Sequence, residues 1–368
     1  MGEWYEVDNV AEIPSPSLLV YPDRVEANIR LMLEIVGGDL PRLRPHVKTH
    51  KMSEVIQLQV EAGITKFKAA TIAEVEMTAA AGAPDILFAY QPVGPNMERL
   101  FKLRALYPEA RISALVDDIS AAEALSEHFK TAPLEVFIDV DCGMGRTGIA
   151  PVGATELARK VVELPGLIFA GLHVYDGHLH QEDIEDRQAG FDTAMEGVES
   201  LLESFQGAGI EVPTVVGGGS PTYAIHASER GWECSPGTTL FWDAGYGSHF
   251  PDLEFLSAAL LLTRVISKPG SNRLCLDLGH KAVAAENPLE NRVRFLNLPD
   301  AKPISQSEEH LVIETADADK WAIGAELYGM PWHICPSVAL YEEAVIIRDG
   351  HAAEVGWRVA SRKRRLTV

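Results

Sequence analysis

Between residues 16 and 245, short apolar runs alternate with amphipathic stretches of helical length. The runs LLVY (18–21), ITKFKAA (64–70), DILFAY (85–90), RISALVD (111–117), LEVFIDVD (134–141), LIFAGLHVY (167–175) and TVVGGG (214–219) have the character of strands buried on both faces. Between the last two, Ile184, Phe191, Met195, Val198, Leu202 and Phe205 recur at three- to seven-residue steps, the stripe of a helix covering a sheet. Strand–helix–strand repeats require a parallel sheet, and counting the strand in LRPHVK there are about eight such strands in roughly 230 residues. The spacing predicts a closed (β/α)8 barrel of TIM type. An open doubly wound sheet is the alternative, and the lack of a GxGxxG fingerprint after the first strand weighs against it.

After residue 250 the pattern changes. AALLLTRVISK, NRLCLDLG, HLVIET and AVIIRDGHAAEVGWRV are β-rich and separated by Pro, Gly and Asn turns. The predicted organisation is an α/β chain: an N-terminal segment 1–15 joining the β domain, a barrel over 16–248, and a mainly β domain over 249–368. The basic end, SRKRRLTV, reads as a solvated tail or an internal ion-pair partner.

Composition narrows the partners. Hydrophobic residues at 46% and charged residues at 23% suit a globular protein. The 53 acidic side chains against 32 basic give a net charge of −21, which opposes nucleic-acid binding. No apolar run reaches the roughly 18 residues of a membrane helix, and MGEWYEVDNV lacks the basic start and apolar centre of a signal peptide. The expectation is a cytoplasmic protein with neither membrane nor nucleic acid as partner. The four cysteines are scattered without CxxC spacing, so no disulfide framework is predicted.

The chemistry concentrates at predicted strand exits, where barrels keep their working residues. RPHVKTH, DVDCGMGRTG (139–148), HVYDGHLH (173–180) and GGGSPTY (217–223) all fall there. In the last, Gly218, Gly219, Ser220 and Thr222 can offer backbone N–H groups and hydroxyls to a phosphate. A phosphate site facing a lysine at an earlier strand end suggests pyridoxal phosphate, whose aldehyde needs an amine. Lys48 is placed for that role, and its basic sequence neighbours, His46 among them, are expected to favour the neutral amine. Arg146 can hold an anionic cofactor oxygen or a substrate carboxylate.

RPHVKTHK, GMGRTG, GGGSPTY, CSPGTTLFWD and PWHIC together resemble the D-threonine aldolase and D-serine dehydratase family, pyridoxal-phosphate enzymes of the alanine racemase-like fold. The resemblance covers almost the whole chain. It implies that Lys48 carries the cofactor, with His46, Arg146, Tyr175, the Gly218–Thr222 loop, Gly237 and Thr238 around it. It also implies a homodimer in which the β domain of one subunit approaches the barrel mouth of the other. A second family signature, a divalent metal held by a histidine and the residue two further on, falls on His333 and Cys335. Residues i and i+2 of a strand share a face, and imidazole with thiolate favours zinc, with manganese or cobalt as the other candidates.

In the resemblance, aldolases have aspartate where Cys335 stands and dehydratases have cysteine. Tyr175 with His180 resembles the aldolase pairing of a tyrosine with a base histidine, at a spacing one residue short, which keeps His178 open as the base. Glu309 and His310 in SEEH are a further site element or an exposed acidic turn. The implied function is a pyridoxal-phosphate- and metal-dependent lyase for a D-3-hydroxy amino acid, an aldolase releasing glycine and an aldehyde. The alternative is a dehydratase giving a 2-oxo acid and ammonia; a racemase and a non-catalytic cofactor carrier are more remote.

Overall fold

Two sheets hold the strands of the computed structural model, which describes residues 3–368. The chain begins with β1 (Ser17–Val20) and helix α1 (Pro22–Ile35). The parallel sheet follows as β2 (Lys66–Ala69), β3 (Asp85–Phe88), β4 (Arg111–Val116), β5 (Leu134–Val140), β6 (Leu167–Val174), β7 (Val215–Gly217) and β8 (Glu233–Cys234), paired in that order. Helices α2 (Ser53–Glu61), α3 (Ile72–Ala80), α4 (Pro95–Leu106), α5 (Ile119–His128), α6 (Pro151–Glu163), α7 (Ile184–Gly207) and α8 (Tyr223–Glu229) connect successive strands.

The extended segment 43–47 closes the barrel. Arg44 N and His46 N donate to Cys234 O and Pro236 O, while Pro45 O accepts from Lys68 N and Val47 N donates to Lys68 O. These bonds join the two edges of the sheet, β8 and β2, through an eighth stave. Inside, Leu87, Leu115, Phe137, Ala170 and Val216 from five successive strands form one buried layer, the filled interior of such a barrel. Outside, Asp183 accepts from the amides of Glu185 and Asp186 to start α7, whose Phe191, Met195, Val198 and Phe205 are buried. Ile184 in its first turn is exposed, and Leu201 rather than Leu202 completes the buried stripe.

One expected barrel strand belongs elsewhere. Ser17–Val20 pairs antiparallel with β9 (Ala259–Gly270) and parallel with the later strand Glu343–Arg348. An apolar run predicts burial on both faces but not the sheet that provides it. The strand that completes the barrel is instead β8, a two-residue Glu-Cys pair too short to stand out in the sequence.

The second unit gathers the described residues up to Arg30 with Thr49–Met52 and Thr238–Arg362. After β9 come β10 (Arg273–Leu276), β11 (Val293–Phe295), β12 (Lys302–Gln306), β13 (Leu311–Glu314), β14 (Glu326–Pro331) and β15 (Glu343–Arg348), with short helices α9 (Ala244–His249) and α10 (Ile334–Val338). The strand order is β12-β13-β10-β9-β1-β15, and β14 links β9 to β11. Tyr5, Val7, Leu19, Leu260, Leu262 and Tyr328 are among the residues of its core. The chain end 363–368 returns to the barrel unit, where Thr367 N donates to Glu76 and Arg99 donates to Val368 O and Arg364 O. No helix among the described residues is long and apolar enough to cross a membrane.

Candidate active site

A cavity of about 660 Å³ opens at the carboxyl ends of the barrel strands. Its lining includes His46 and Lys48 from the closing stave, Lys68 from β2, Asp139 from β5, Arg146 and Thr147 from the following loop, and His173 and Tyr175 at the end of β6. Parallel pairing brings these sequence-distant residues together by putting every strand exit on one side. His46 Nδ1 accepts from Lys48 N at 3.2 Å, which fixes the turn at which Lys48 leaves the stave. The Tyr175 ring has three cations about it: Arg146 Cζ at 5.0 Å, Lys68 Nζ at 5.5 Å and Lys48 Nζ at 5.8 Å from its centroid.

The polar residues below the mouth form a chain. Asp139 Oδ1 lies 2.7 Å from His173 Nδ1, and His173 Nε2 lies 3.4 Å from Lys68 Nζ. Burial pushes His173 below the usual histidine value. Burial opposes the charge of Asp139, but hydrogen bonds from His173 and Thr147 and the nearby Lys68 hold its carboxyl below the usual range. Burial, then the positive charge of Lys48, brings Lys68 down to about 7 against the attraction of Asp176 and Asp139. Sequence reasoning did not single out Lys68, Asp139 or His173, although Asp139 opens DVDCGMGRTG and His173 opens HVYDGHLH. Their signal was a polar residue late in an otherwise apolar strand run.

The glycine-rich loop is pinned from beneath. Asp176, fully buried, accepts from Thr222 Oγ1 at 2.9 Å and lies 2.8 Å from His226 Nε2. Thr222 Oγ1 in turn accepts from Gly219 N at 3.4 Å, and Ser220 Oγ accepts from Gly237 N at 3.1 Å. Gly218 has φ +73°, a conformation that favours glycine, and a Cβ on Gly219 would stand 3.0 Å from the Tyr175 ring. The loop backbone therefore approaches that ring closely. An amine at one strand end, a glycine backbone cradle and surplus cations suit a phosphorylated aldehyde.

In the β unit, His333 is the N-cap residue of α10 and Cys335 lies in its first turn. The expected strand is thus replaced by a strand-to-helix turn, yet the two side chains still meet in a hydrogen bond. Glu286 Oε1 lies 2.6 Å from His333 Nδ1, and Cys335 Sγ is 3.2 Å from Thr49 Oγ1 and 3.7 Å from Thr238 Oγ1. Burial works against charge on His333, but Cys335 and Glu286 lift it to about 9. Among the described residues there is no group of three or more His, Cys, Asp or Glu side chains poised for a metal. Imidazole and thiolate are donors suited to a divalent ion, and Glu286 is placed to orient the imidazole.

Several expected placements differ. His178 is half-buried beside Gly143 with Nδ1 lacking a hydrogen-bond partner, and His180 is exposed; neither lines the cavity. The basic neighbours of Lys48 do not act as a cationic cluster. Arg44 is buried between Glu233 and Asp85, each 2.6 Å away, and burial drives His50 down to about 3, leaving it neutral. The cation that does face Lys48 is Lys68. Glu309 pairs with Lys281 on the surface beside exposed His310.

The whole chain resembles known lyases in sequence and shape. The family model for the alanine racemase N-terminal domain matches residues 20–244, and one for a serine dehydratase domain matches residues 258–347. The D-threonine aldolase of an Arthrobacter species is 30% identical over 96% of this chain and 94% of its own. A 3-hydroxy-D-aspartate aldolase of Paracoccus denitrificans is 29% identical over 96% and 93%. The crystal structure of D-threonine aldolase from Filomicrobium marinum superposes with a TM-score of 0.89 at 27% identity, covering 96% of this chain and 97% of that one. The chain belongs to the D-threonine aldolase and D-serine dehydratase family of alanine racemase-like proteins.

Proposed function

We propose that this protein is a pyridoxal-phosphate- and divalent-metal-dependent lyase that cleaves a D-3-hydroxy amino acid to glycine and an aldehyde. The observation that carries the reading is Lys48, emerging at a strand end into a cavity that Arg146 and Tyr175 share. Likeness to aldolases over nearly the full chain supports it. When bound, pyridoxal phosphate supplies an electron sink for the pair released at the substrate α-carbon. A divalent ion, zinc in preference to manganese or cobalt, would make the 3-hydroxyl proton easier to remove.

The chain's own residues do the rest. Lys48 would anchor the cofactor through its amine. The Gly218–Thr222 loop, with Gly237 and Thr238, receives the phosphate. Arg146, permanently charged, holds an anionic oxygen, and Tyr175 presents a flat ring beside the reacting groups. The resemblance to aldolases gives removal of the 3-hydroxyl proton to His180, with His178 as the neighbouring candidate, although both lie outside the cavity lining; His173 is held by Asp139 and Lys68. His333 and Cys335 hold the ion.

One observation favours a second reading: Cys335 stands where the resemblance gives dehydratases cysteine, and the serine dehydratase domain matches around it. In that case Lys48 removes the α-proton, the 3-hydroxyl leaves, and a 2-oxo acid and ammonia result. Incubation with D-threonine decides. Glycine and acetaldehyde are expected, with His180→Ala suppressing their release more than it suppresses exchange of the α-proton. 2-Oxobutanoate and ammonia would move the protein to the dehydratase reading. A cytoplasmic homodimer belongs to the same proposal, and light scattering of the loaded protein checks the dimer.

A further inference from the structure

An ammonium on an inner strand position calls for an anion to meet it. Lys68, 2% exposed, has the His173 ring as its hydrogen-bond partner. Around it stand Lys48 on the closing stave, Asp139 on β5, Arg146 beyond β5, and His173, Tyr175 and Asp176 at the end of β6. Both carboxylates are engaged: Asp139 with His173, Asp176 with Thr222 and His226. Three cations therefore meet at the Tyr175 ring, and among the described residues no carboxylate pairs directly with Lys68. A ligand that brings negative charge to this point is favoured electrostatically.

Pyridoxal phosphate carries two anionic features. Its phosphate belongs with the glycine loop. Its phenolic oxygen sits on the ring carbon next to the one bearing the aldehyde, so a cofactor joined to Lys48 brings that oxygen against the cations bordering Lys48. We propose that Lys68 Nζ binds the phenolic oxygen of the cofactor, aimed by the Asp139–His173 pair, and thereby sets how readily the nitrogen joining Lys48 to the cofactor loses its proton. This rests on the cofactor reading above. A fixed cation beside the oxygen stabilises the form left after that proton departs, so Lys68 lowers the pH of the transition.

The test is the visible absorption of cofactor-loaded protein followed against pH in wild type, Lys68→Met and Lys68→Arg. In Lys68→Met the midpoint should rise by about one pH unit, a tenfold change in proton affinity, while Lys68→Arg stays near wild type. An unmoved midpoint in a folded Lys68→Met protein overturns the inference. So does an unmoved midpoint with a raised KM, which would assign Lys68 to a substrate carboxylate. If the variants do not fold, NMR of isotope-labelled lysines in wild type serves instead. One lysine should titrate near neutrality in the cofactor-free protein and markedly higher once loaded; no such change overturns the idea. Wild-type protein with no lysine-linked absorption at all would defeat the cofactor reading itself, whereas normal absorption with an unmoved midpoint defeats the Lys68 role alone.

Discussion

The two ends of the barrel use the same residue types to opposite effect. At the amino ends of the strands, Glu135, Arg111, Asp85, Arg44, Glu233 and Lys66 alternate in sign along one chain of ion pairs, so each charge meets its complement. At the carboxyl ends, Lys48, Lys68 and Arg146 surround one tyrosine ring while the carboxylates nearby are engaged elsewhere. Arg44 and Lys48 are four residues apart on a single stave, about 13 Å at strand rise. The difference teaches how a parallel barrel separates stability from chemistry. Balanced charges close one end, and an unbalanced set at the other is left to bind an anion.

The largest expected effect breaks the working end. Lys48→Ala should abolish covalent cofactor attachment and reduce turnover by on the order of 10³-fold or more, without changing the stability of the cofactor-free protein much. Borohydride reduction followed by peptide mapping checks it, and label on Lys51, Lys68 or Lys281 would refute the assignment. Chelation comes next. Stripping the ion from His333 and Cys335 should lower turnover by on the order of 10²-fold while the cofactor absorption stays, and added zinc, manganese or cobalt should restore part of it. Full activity in demonstrably metal-free protein would rule out the metal's part.

The closed end answers to a different measurement. Arg44→Met leaves Asp85 and Glu233 facing each other in a poorly hydrated site, although Arg111 and Lys66 remain on their outer sides. Removing one partner of a buried pair typically costs about 3 kcal/mol or more. The urea midpoint should fall accordingly while the loaded variant, below its transition, keeps its cofactor absorption. An unchanged midpoint would mean that the ring of pairs does not hold the barrel shut.

How much of this was legible in the sequence follows from the same division. The parallel strands and the polar strand exits were readable, because runs buried on both faces lack alternation and the motifs sit directly after them. Ser17–Val20 was placed in the wrong sheet, since its apolar run carries no label for its partners, and β8 was invisible at two residues. Lys48, Arg146 and Tyr175 were legible as motif members. Lys68 was not, because a lysine in ITKFKAA looks like a strand-edge charge until pairing across the barrel puts it beside His173. The expected cationic cluster around Lys48 dissolved for a reason no local reading supplies: the partners of Arg44 lie 41 and 189 residues away. His333 and Cys335 met although the strand predicted for them is a helix start, since His333 is the N-cap residue and keeps extended backbone, φ −130° and ψ 103°, outside the helical turns where residues two apart diverge.

The smallest effect sharpens the contrast most. In the cofactor-free protein Lys68 falls to about 7 from an ordinary 10.5, so its burial penalises the charged form. Below pH 7 both folded and unfolded chains hold that proton and the penalty is fully present. Between pH 7 and 10.5 the unfolded chain binds more protons than the folded one, so stability rises with pH across that window. Lys68→Met lacks this dependence. Relative to wild type, the cofactor-free variant should gain on the order of 1–2 kcal/mol at pH 6, allowing for solvent reaching the open cavity, and the gain should shrink by pH 9. Urea titrations of both proteins at the two pH values measure the difference. A gap that is constant or widens with pH would mean that the lysine is not penalised where it stands, and the working end would then be as well balanced as the closed one.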